Sequence, residues 1–169
     1  MNIDPLCLHA GYQPGNGEPH VLPIYQSTTY EYDSTEHIGK LFDLAVDGHM
    51  YSRISNPTVA YVEEKIAALE GGVGAVCTTS GQSATFLSLT NILSAGDHFI
   101  ACAQIYGGTT NLLSVTMKRF GIDVTFVDCN ASDEELHAAF RENTRAVFGE
   151  TISNPSIDLL DIERFARVA

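Results

Sequence analysis

Basic residues are scarce in this chain: nine Lys and Arg stand against 21 Asp and Glu, a formal net charge of −12. A phosphodiester backbone is held by clustered cations, so this balance argues against a nucleic-acid partner. It says nothing against a small anionic ligand, for which one well-placed Arg is enough. No apolar stretch approaches the roughly 20 residues of a membrane-spanning helix, so no membrane partner is expected. Met1-Asn-Ile-Asp-Pro5 is not the basic segment and apolar run of a secretory leader. Cys7, Cys77, Cys102 and Cys129 form no C-x-x-C pair, and the six His show no metal-ligand spacing. A zinc or iron site is not expected. Reduced thiols in a cytoplasmic protein are, with Cys77 and Cys102 inside apolar strands. Internal repeats and low-complexity tracts are absent.

What is present suits a compact fold: 169 residues, 44% hydrophobic and 18% charged. Residues 1 to about 33, rich in Pro, Gly, Tyr and Thr, lack a helical period and read as an extended arm that wraps a neighbour or its own fold. Asp33-Ser-Thr-Glu36 resembles a capping box, with Ile38, Leu41, Phe42 and Ala45 following at helical spacing. Asn56-Pro57 reads as an N-cap and first helical position. The helix it opens runs to about Glu70, with Val59, Val62, Ile66 and Leu69 on one stripe and Gly71-Gly72 closing it. Strands and helices then alternate. Strands are expected at Ala75–Thr78, His98–Cys102, Asp123–Val127 and Arg145–Phe148, and helices at Gly81–Leu93, Thr109–Phe120, from Ser132, and from near Asp161 with Ile162, Phe165 and Ala166 on one face. Such alternation implies an α/β fold with a mostly parallel sheet, whose ligand site lies at the carboxyl ends of the strands.

Four polar clusters bear on that edge. Tyr51-Ser-Arg53 places an aromatic hydroxyl and a guanidinium two residues apart, a pair suited to a phosphate; a surface Tyr and Arg before an ordinary capped helix accounts for it equally. Thr78-Thr-Ser-Gly-Gln-Ser-Ala84 is a small-residue turn into a helix, where Gly81 and Gln82 offer backbone N–H groups to an anion, or Ser80 simply caps. Neither the Walker pattern nor the dinucleotide fingerprint fits, which weakens a nucleotide-binding reading. Gln104-Ile-Tyr-Gly-Gly108 puts Tyr106 at a strand end with room for a flat ligand, or leaves it a turn tyrosine. Gly149-Glu-Thr-Ile-Ser-Asn-Pro155 releases Glu150 and Asn154 where the sheet opens, or is an Asn-Pro turn. Together they describe a cradle for a flat phosphorylated ring.

Tyr51-Ser-Arg-x-x-Asn-Pro-Thr, Ser80-Gly-Gln-Ser-Ala, Tyr106-Gly-Gly-Thr and Glu150-Thr-x-Ser-Asn-Pro resemble the Cys/Met-metabolism (transsulfuration) family of pyridoxal-phosphate enzymes. The likeness spans the chain from Leu8-His-Ala-Gly11 and Pro23-Ile-Tyr-Gln-Ser-Thr-Thr-Tyr30 onward, and Gln82 with Leu8–Tyr12 is most similar to the O-acetylhomoserine sulfhydrylase branch. The resemblance implies pyridoxal 5'-phosphate as cofactor and the fold type I of such transferases. Residues 1–56 would be the arm and a helix contacting a neighbouring subunit, and 57–169 the first part of a truncated large domain. Gly81 and Gln82 would bind the cofactor phosphate. Tyr51 and Arg53 would reach that phosphate from the adjacent subunit of a homo-oligomer, a homotetramer in this family. Tyr106 would stack on the ring and assist proton movement. Asn154 would bond the ring's phenolic oxygen, and Glu150 would support the site. The arm would cross the partner's active site.

The activity so implied is γ-replacement on O-acetyl-L-homoserine with sulfide or methanethiol, giving homocysteine or methionine. Cystathionine γ-synthase, a γ-lyase or methionine γ-lyase on the same scaffold is the alternative. The chemistry also needs a lysine to hold the cofactor covalently. Lys40, Lys65 and Lys118 all fall on helices, none at a strand end. In the resembling family that lysine, and the aspartate facing the ring nitrogen, come later than Ala169. An incomplete and by itself inactive enzyme is therefore expected, with exposed apolar surface along its last strand and helix. A non-catalytic assembly module is the reading from another class.

Overall fold

The computed structural model describes residues 3–169, so the first two residues of the expected arm, Met1 and Asn2, lie outside the described residues. Two compact units divide between Cys77 and Thr78.

In the first unit, α1 (Ile3–His9) replaces part of the expected extended arm. This helix buries no residue of its own, and at 7 residues it is too short for the spacing of Ile3, Leu6 and Cys7 to establish a period. Lys65 ties it down by donating to the Cys7 carbonyl near its end. Gly11 then turns with φ +90 against the Tyr61 carbonyl, where a Cβ would come within 2.6 Å. Helix α2 (Thr35–Phe42) is capped by Ser34, one residue later than expected, and Glu36 pairs with Lys40 instead of closing a box. Helix α3 (Pro57–Glu70) has the ends its sequence specifies: Asn56 caps Thr58 N–H, Pro57 opens it, and Gly71 closes it at φ 66. Its expected inner stripe is not inner. Val59, Val62 and Ile66 stay exposed, and Ala67 is the buried position.

The second unit holds three parallel strands in the order β2-β1-β3: β1 (His98–Cys102), β2 (Asp123–Val127) and β3 (Thr144–Phe148). The fourth expected strand, Ala75–Thr78, is irregular and unpaired, with Val76 exposed. A strand exists only through its ladder, and no strand among the described residues lies beside this one. Cys77 is consequently exposed, as is Cys7, while Cys102 and Cys129 are buried; all four are free.

Helix α4 (Gly81–Ile92) precedes β1. A second helical rod follows β1, made of α5 (Gly107–Asn111), a π-helical turn over Leu112–Thr116, and α6 (Met117–Arg119). Helix α7 (Asp133–Ala139) begins with the capping box of Ser132 and Glu135. Helix α8 (Ile162–Val168) is capped by Asp161. The core gathers on the central strand, all five residues of which are buried, with Leu89, Leu113, Met117, Leu136 and Phe165 packed around it. Burying Phe99 alone is worth about 2–3 kcal/mol. Of the face expected on α8, only Phe165 is covered. Ile162 and Ala166 line an open apolar groove of about 340 Å³ with Val147 and Leu160. No helix among the described residues is long and apolar enough to cross a membrane.

Candidate cofactor site

Parallel strands deliver their carboxyl ends to one edge, and here that edge is cross-tied by side chains. Leaving β1, Gln104 donates to Asp128 Oδ2 at 2.8 Å and accepts from Cys129 N–H at 2.9 Å, which fastens the β1 exit to the β2 exit. The Asn130 and Gln104 donors hold the Asp128 carboxyl below its ordinary range. Two residues further, the Tyr106 N–H donates to Glu150 Oε1 at 3.0 Å, which fastens the β1 exit to the β3 exit. Glu150 thus grips the backbone that presents Tyr106.

Tyr106 is the N-cap of α5, and its ring is half exposed, lying over Gly108. A Cβ on Gly108 would overlap that ring, so the second glycine of Tyr106-Gly-Gly is what gives the ring its place. Above Gly107 the space is open. From α4, Gln82 Nε2 donates to the buried Thr109 hydroxyl at 2.9 Å, which locks the α4 start to α5.

At that start Ser80 Oγ accepts from Ser83 N–H and the Ser80 carbonyl from Ala84 N–H. The Gly81 and Gln82 N–H groups have no acceptor among the described residues, and nothing stands within 4 Å of where a Gly81 side chain would project. Two free donors at the positive end of a helix, with open space before them, fit the phosphate of the expected cofactor. Asn154 lies four residues past Glu150, exposed at the turn of a small hairpin closed by the Ile152–Leu159 bridge. Ser153 pins that turn by accepting from Asp158 N–H at 2.8 Å.

The structure therefore joins Tyr106 to Glu150 directly, and ties Gln82 to α5 through Thr109, three residues past Tyr106, with Gly81 beside Gln82 and Asn154 on the loop leaving β3. Tyr51 and Arg53 belong to the first unit. There the Arg53 guanidinium lies 5.3 Å from the Tyr51 ring centre and meets no carboxylate among the described residues. An unpaired Arg in so acidic a chain is an available anion ligand.

The lysines are otherwise employed. Lys40 pairs with Glu36 at 2.8 Å, Lys65 donates to Cys7 and sits 4.7 Å from the Tyr61 ring centre, and Lys118 occupies the last turn of α6. Sequence reasoning missed three contributors: Gln104, Gly108 as the seat of the ring, and Asn56 beyond its cap. No local pattern marks Gln104. The double glycine after Tyr106 is the signal for Gly108.

The family profile described as "Cys/Met metabolism PLP-dependent enzyme" matches residues 4–169. The chain is 45% identical over 173 residues to O-acetyl-L-homoserine sulfhydrylase 1 of Thermus thermophilus, a match covering 100% of this chain and 40% of that protein. It is 49% identical over 148 residues to O-acetyl-L-homoserine sulfhydrylase of Corynebacterium glutamicum, covering 88% and 34%. Among solved structures, one described as an O-acetylhomoserine (thiol)-lyase of Campylobacter jejuni, with a pyridoxyl-lysine monophosphate, superposes with a TM-score of 0.89 at 36% identity. That match covers 100% of this chain and 41% of the other. The chain thus spans 34–41% of the length of these relatives.

Proposed function

The chain belongs to the Cys/Met-metabolism family of pyridoxal-phosphate-dependent enzymes, and from that membership we propose that the complete protein performs γ-replacement on O-acetyl-L-homoserine. Sulfide or methanethiol displaces acetate from the γ carbon, and homocysteine or methionine results. The reading rests most on the cross-tied strand edge, where Glu150 holds Tyr106 at the start of α5 and Gln82 ties α5 to the α4 start with its free Gly81 and Gln82 N–H groups. The choice of substrate is supported by the two relatives that bear the O-acetyl-L-homoserine sulfhydrylase name.

Pyridoxal 5'-phosphate, when bound, supplies the electron sink that stabilises negative charge on carbons near the substrate amine. The residues of this chain bind and orient. Gly81 and Gln82 donate backbone N–H groups to the phosphate, with the α4 dipole behind them. Tyr51 and Arg53 reach the phosphate of a neighbouring subunit, so each site needs two chains. Tyr106 offers its ring face to the pyridine and its hydroxyl to a proton in transit. Glu150 keeps that ring in register, and Asn154 donates to the phenolic oxygen. Residues 1–56 serve as the arm and helix that contact the neighbour, and 57–169 as the first part of the cofactor domain. The setting is sulfur amino-acid biosynthesis in the cytoplasm, with a homotetramer as the assembly.

The test is to supply the complete protein with pyridoxal phosphate, O-acetyl-L-homoserine and sulfide. Stoichiometric homocysteine and acetate are expected. Cystathionine from added cysteine with no reaction on sulfide, or α-ketobutyrate as the main product, would move the activity to a synthase or lyase of the same scaffold.

A further inference from the structure

The Asn56 side chain is buried, at 7% exposure, and does more than cap α3. Its Oδ1 accepts from Thr58 N–H at 2.9 Å, the ordinary cap. Its Nδ2 faces three acceptors on two other segments: the Tyr25 carbonyl at 3.0 Å, Ser52 Oγ at 2.9 Å and the Tyr30 hydroxyl at 3.2 Å. Ser52 Oγ donates to the Ser27 carbonyl, which leaves it to accept from Asn56 and from the Tyr30 hydroxyl at 3.0 Å. Every polar group of the knot then has a partner, the condition under which a buried network specifies one geometry.

What the knot holds is the Tyr51–Ser55 turn. Ser52 N–H donates to the Thr28 carbonyl, Ile54 and Ser55 N–H groups donate to the Tyr51 carbonyl, and Tyr51 bridges to Thr29. Tyr25 N–H is fastened to the Thr58 hydroxyl at 2.9 Å. Arm, turn and α3 start are thus joined at one amide, while Tyr51 and Arg53 stack outside it and remain open to a ligand.

We infer that Asn56, acting with Ser52, is a positioning residue that presents Tyr51 and Arg53 as a preformed phosphate clamp. The inference rests on the reading of those two residues as phosphate ligands. Bound to a loose turn, the same Tyr and Arg would have to be ordered at each binding event, and affinity would fall.

The experiment measures dissociation constants of pyridoxal phosphate and of pyridoxal, which lacks the phosphate, on the cofactor-free complete protein. Asn56→Ser retains a capping oxygen and deletes the amide donors. Ser52→Ala breaks the knot from the turn side, so the question stays answerable if one variant misfolds. Both are expected to weaken pyridoxal phosphate about tenfold, as loss of one charge-assisted contact does, and to leave pyridoxal within about twofold. Equal weakening of both ligands assigns Asn56 a general structural role and overturns the inference. Arg53→Ala separates the two layers. If it weakens pyridoxal phosphate while Asn56→Ser and Ser52→Ala do not, the positioning role fails alone. If it too leaves pyridoxal phosphate unchanged, the clamp reading fails and takes the inference with it.

Discussion

Replacing Gly108 by Ala separates the site from the fold with one methyl group. The added Cβ would lie 3.1 Å from Tyr106 Cδ1 and Cζ and closer still to Cε1, so the ring must swing away. The backbone has no objection, because Gly108 lies within α5 and does not require a positive φ. Removing a helical glycine is favourable by about 0.5–1 kcal/mol on its own. The ring is half exposed and loses little packing when it moves. Stability of Gly108→Ala should therefore stay within about 1 kcal/mol of the parent. Stacking of an aromatic platform contributes about 0.5–1.5 kcal/mol, so pyridoxal phosphate affinity should fall about two- to tenfold. Urea titration and cofactor titration of the complete protein read the two effects separately. Unchanged affinity would show that the ring seated on Gly108 is not the platform. A loss of stability beyond about 2 kcal/mol would show that the Gly108–Tyr106 contact belongs to the fold instead.

The elements legible in the sequence are those whose signals are local. Strands His98–Cys102 and Asp123–Val127 and helix Pro57–Glu70 match their expected bounds because their runs are apolar, or their caps chemical. The caps Ser80, Ser132 and Asp161 likewise bond as their types dictate. Legibility ended where a partner decides the outcome. Ala75–Thr78 has the composition of a strand and no ladder. Val59, Val62 and Ile66 have the period of a buried face and stay largely exposed among the described residues. Helix α1 shows the converse, since it is held by Lys65 and the Gly11 turn and at 7 residues is too short to establish a period. At the site, the strand-end rule pointed to Tyr106 and Glu150, which the structure places at the exits of β1 and β3, and to Gln82, whose preceding strand does not form; the bond from Tyr106 N–H to Glu150 spans 44 residues and has no local sign. Asn56 reads as a cap from its neighbour Pro57, whereas its Nδ2 contacts reach up to 31 residues back.

Three further outcomes follow from buried groups. His98 is fully buried at the amino edge of β1, bonded to Thr144 at 2.7 Å and Thr125 at 2.8 Å, and burial with nearby Arg141 depresses its pKa against the opposing pull of Asp123. Below its ordinary 6.5 the unfolded chain takes up a proton that the folded chain resists, so stability falls as pH drops through that value. Urea midpoints between pH 7.5 and 5.5 should show this, and His98→Gln should flatten the slope; an unchanged slope would remove His98 as its source. Burial pushes the Cys102 thiol up to about 11 and raises that of Cys129, so an aromatic disulfide reagent should modify Cys7 and Cys77 rapidly in the native chain. All four should react in urea, and four fast thiols without urea would contradict the packing. A Cβ at Gly149 would meet Leu160 at 2.7 Å and Cys102 Sγ at 3.0 Å, so Gly149→Ala should cost about 1–3 kcal/mol in thermal or urea unfolding, and a neutral result would count against this close approach.

The measurement closest to the central claim is a crystal structure of the complete protein loaded with pyridoxal phosphate. Its phosphate oxygens are expected within hydrogen-bonding distance of the Gly81 and Gln82 backbone nitrogens, with the pyridine face against Tyr106. A phosphate bound elsewhere, with the α4 start still empty, would contradict the account.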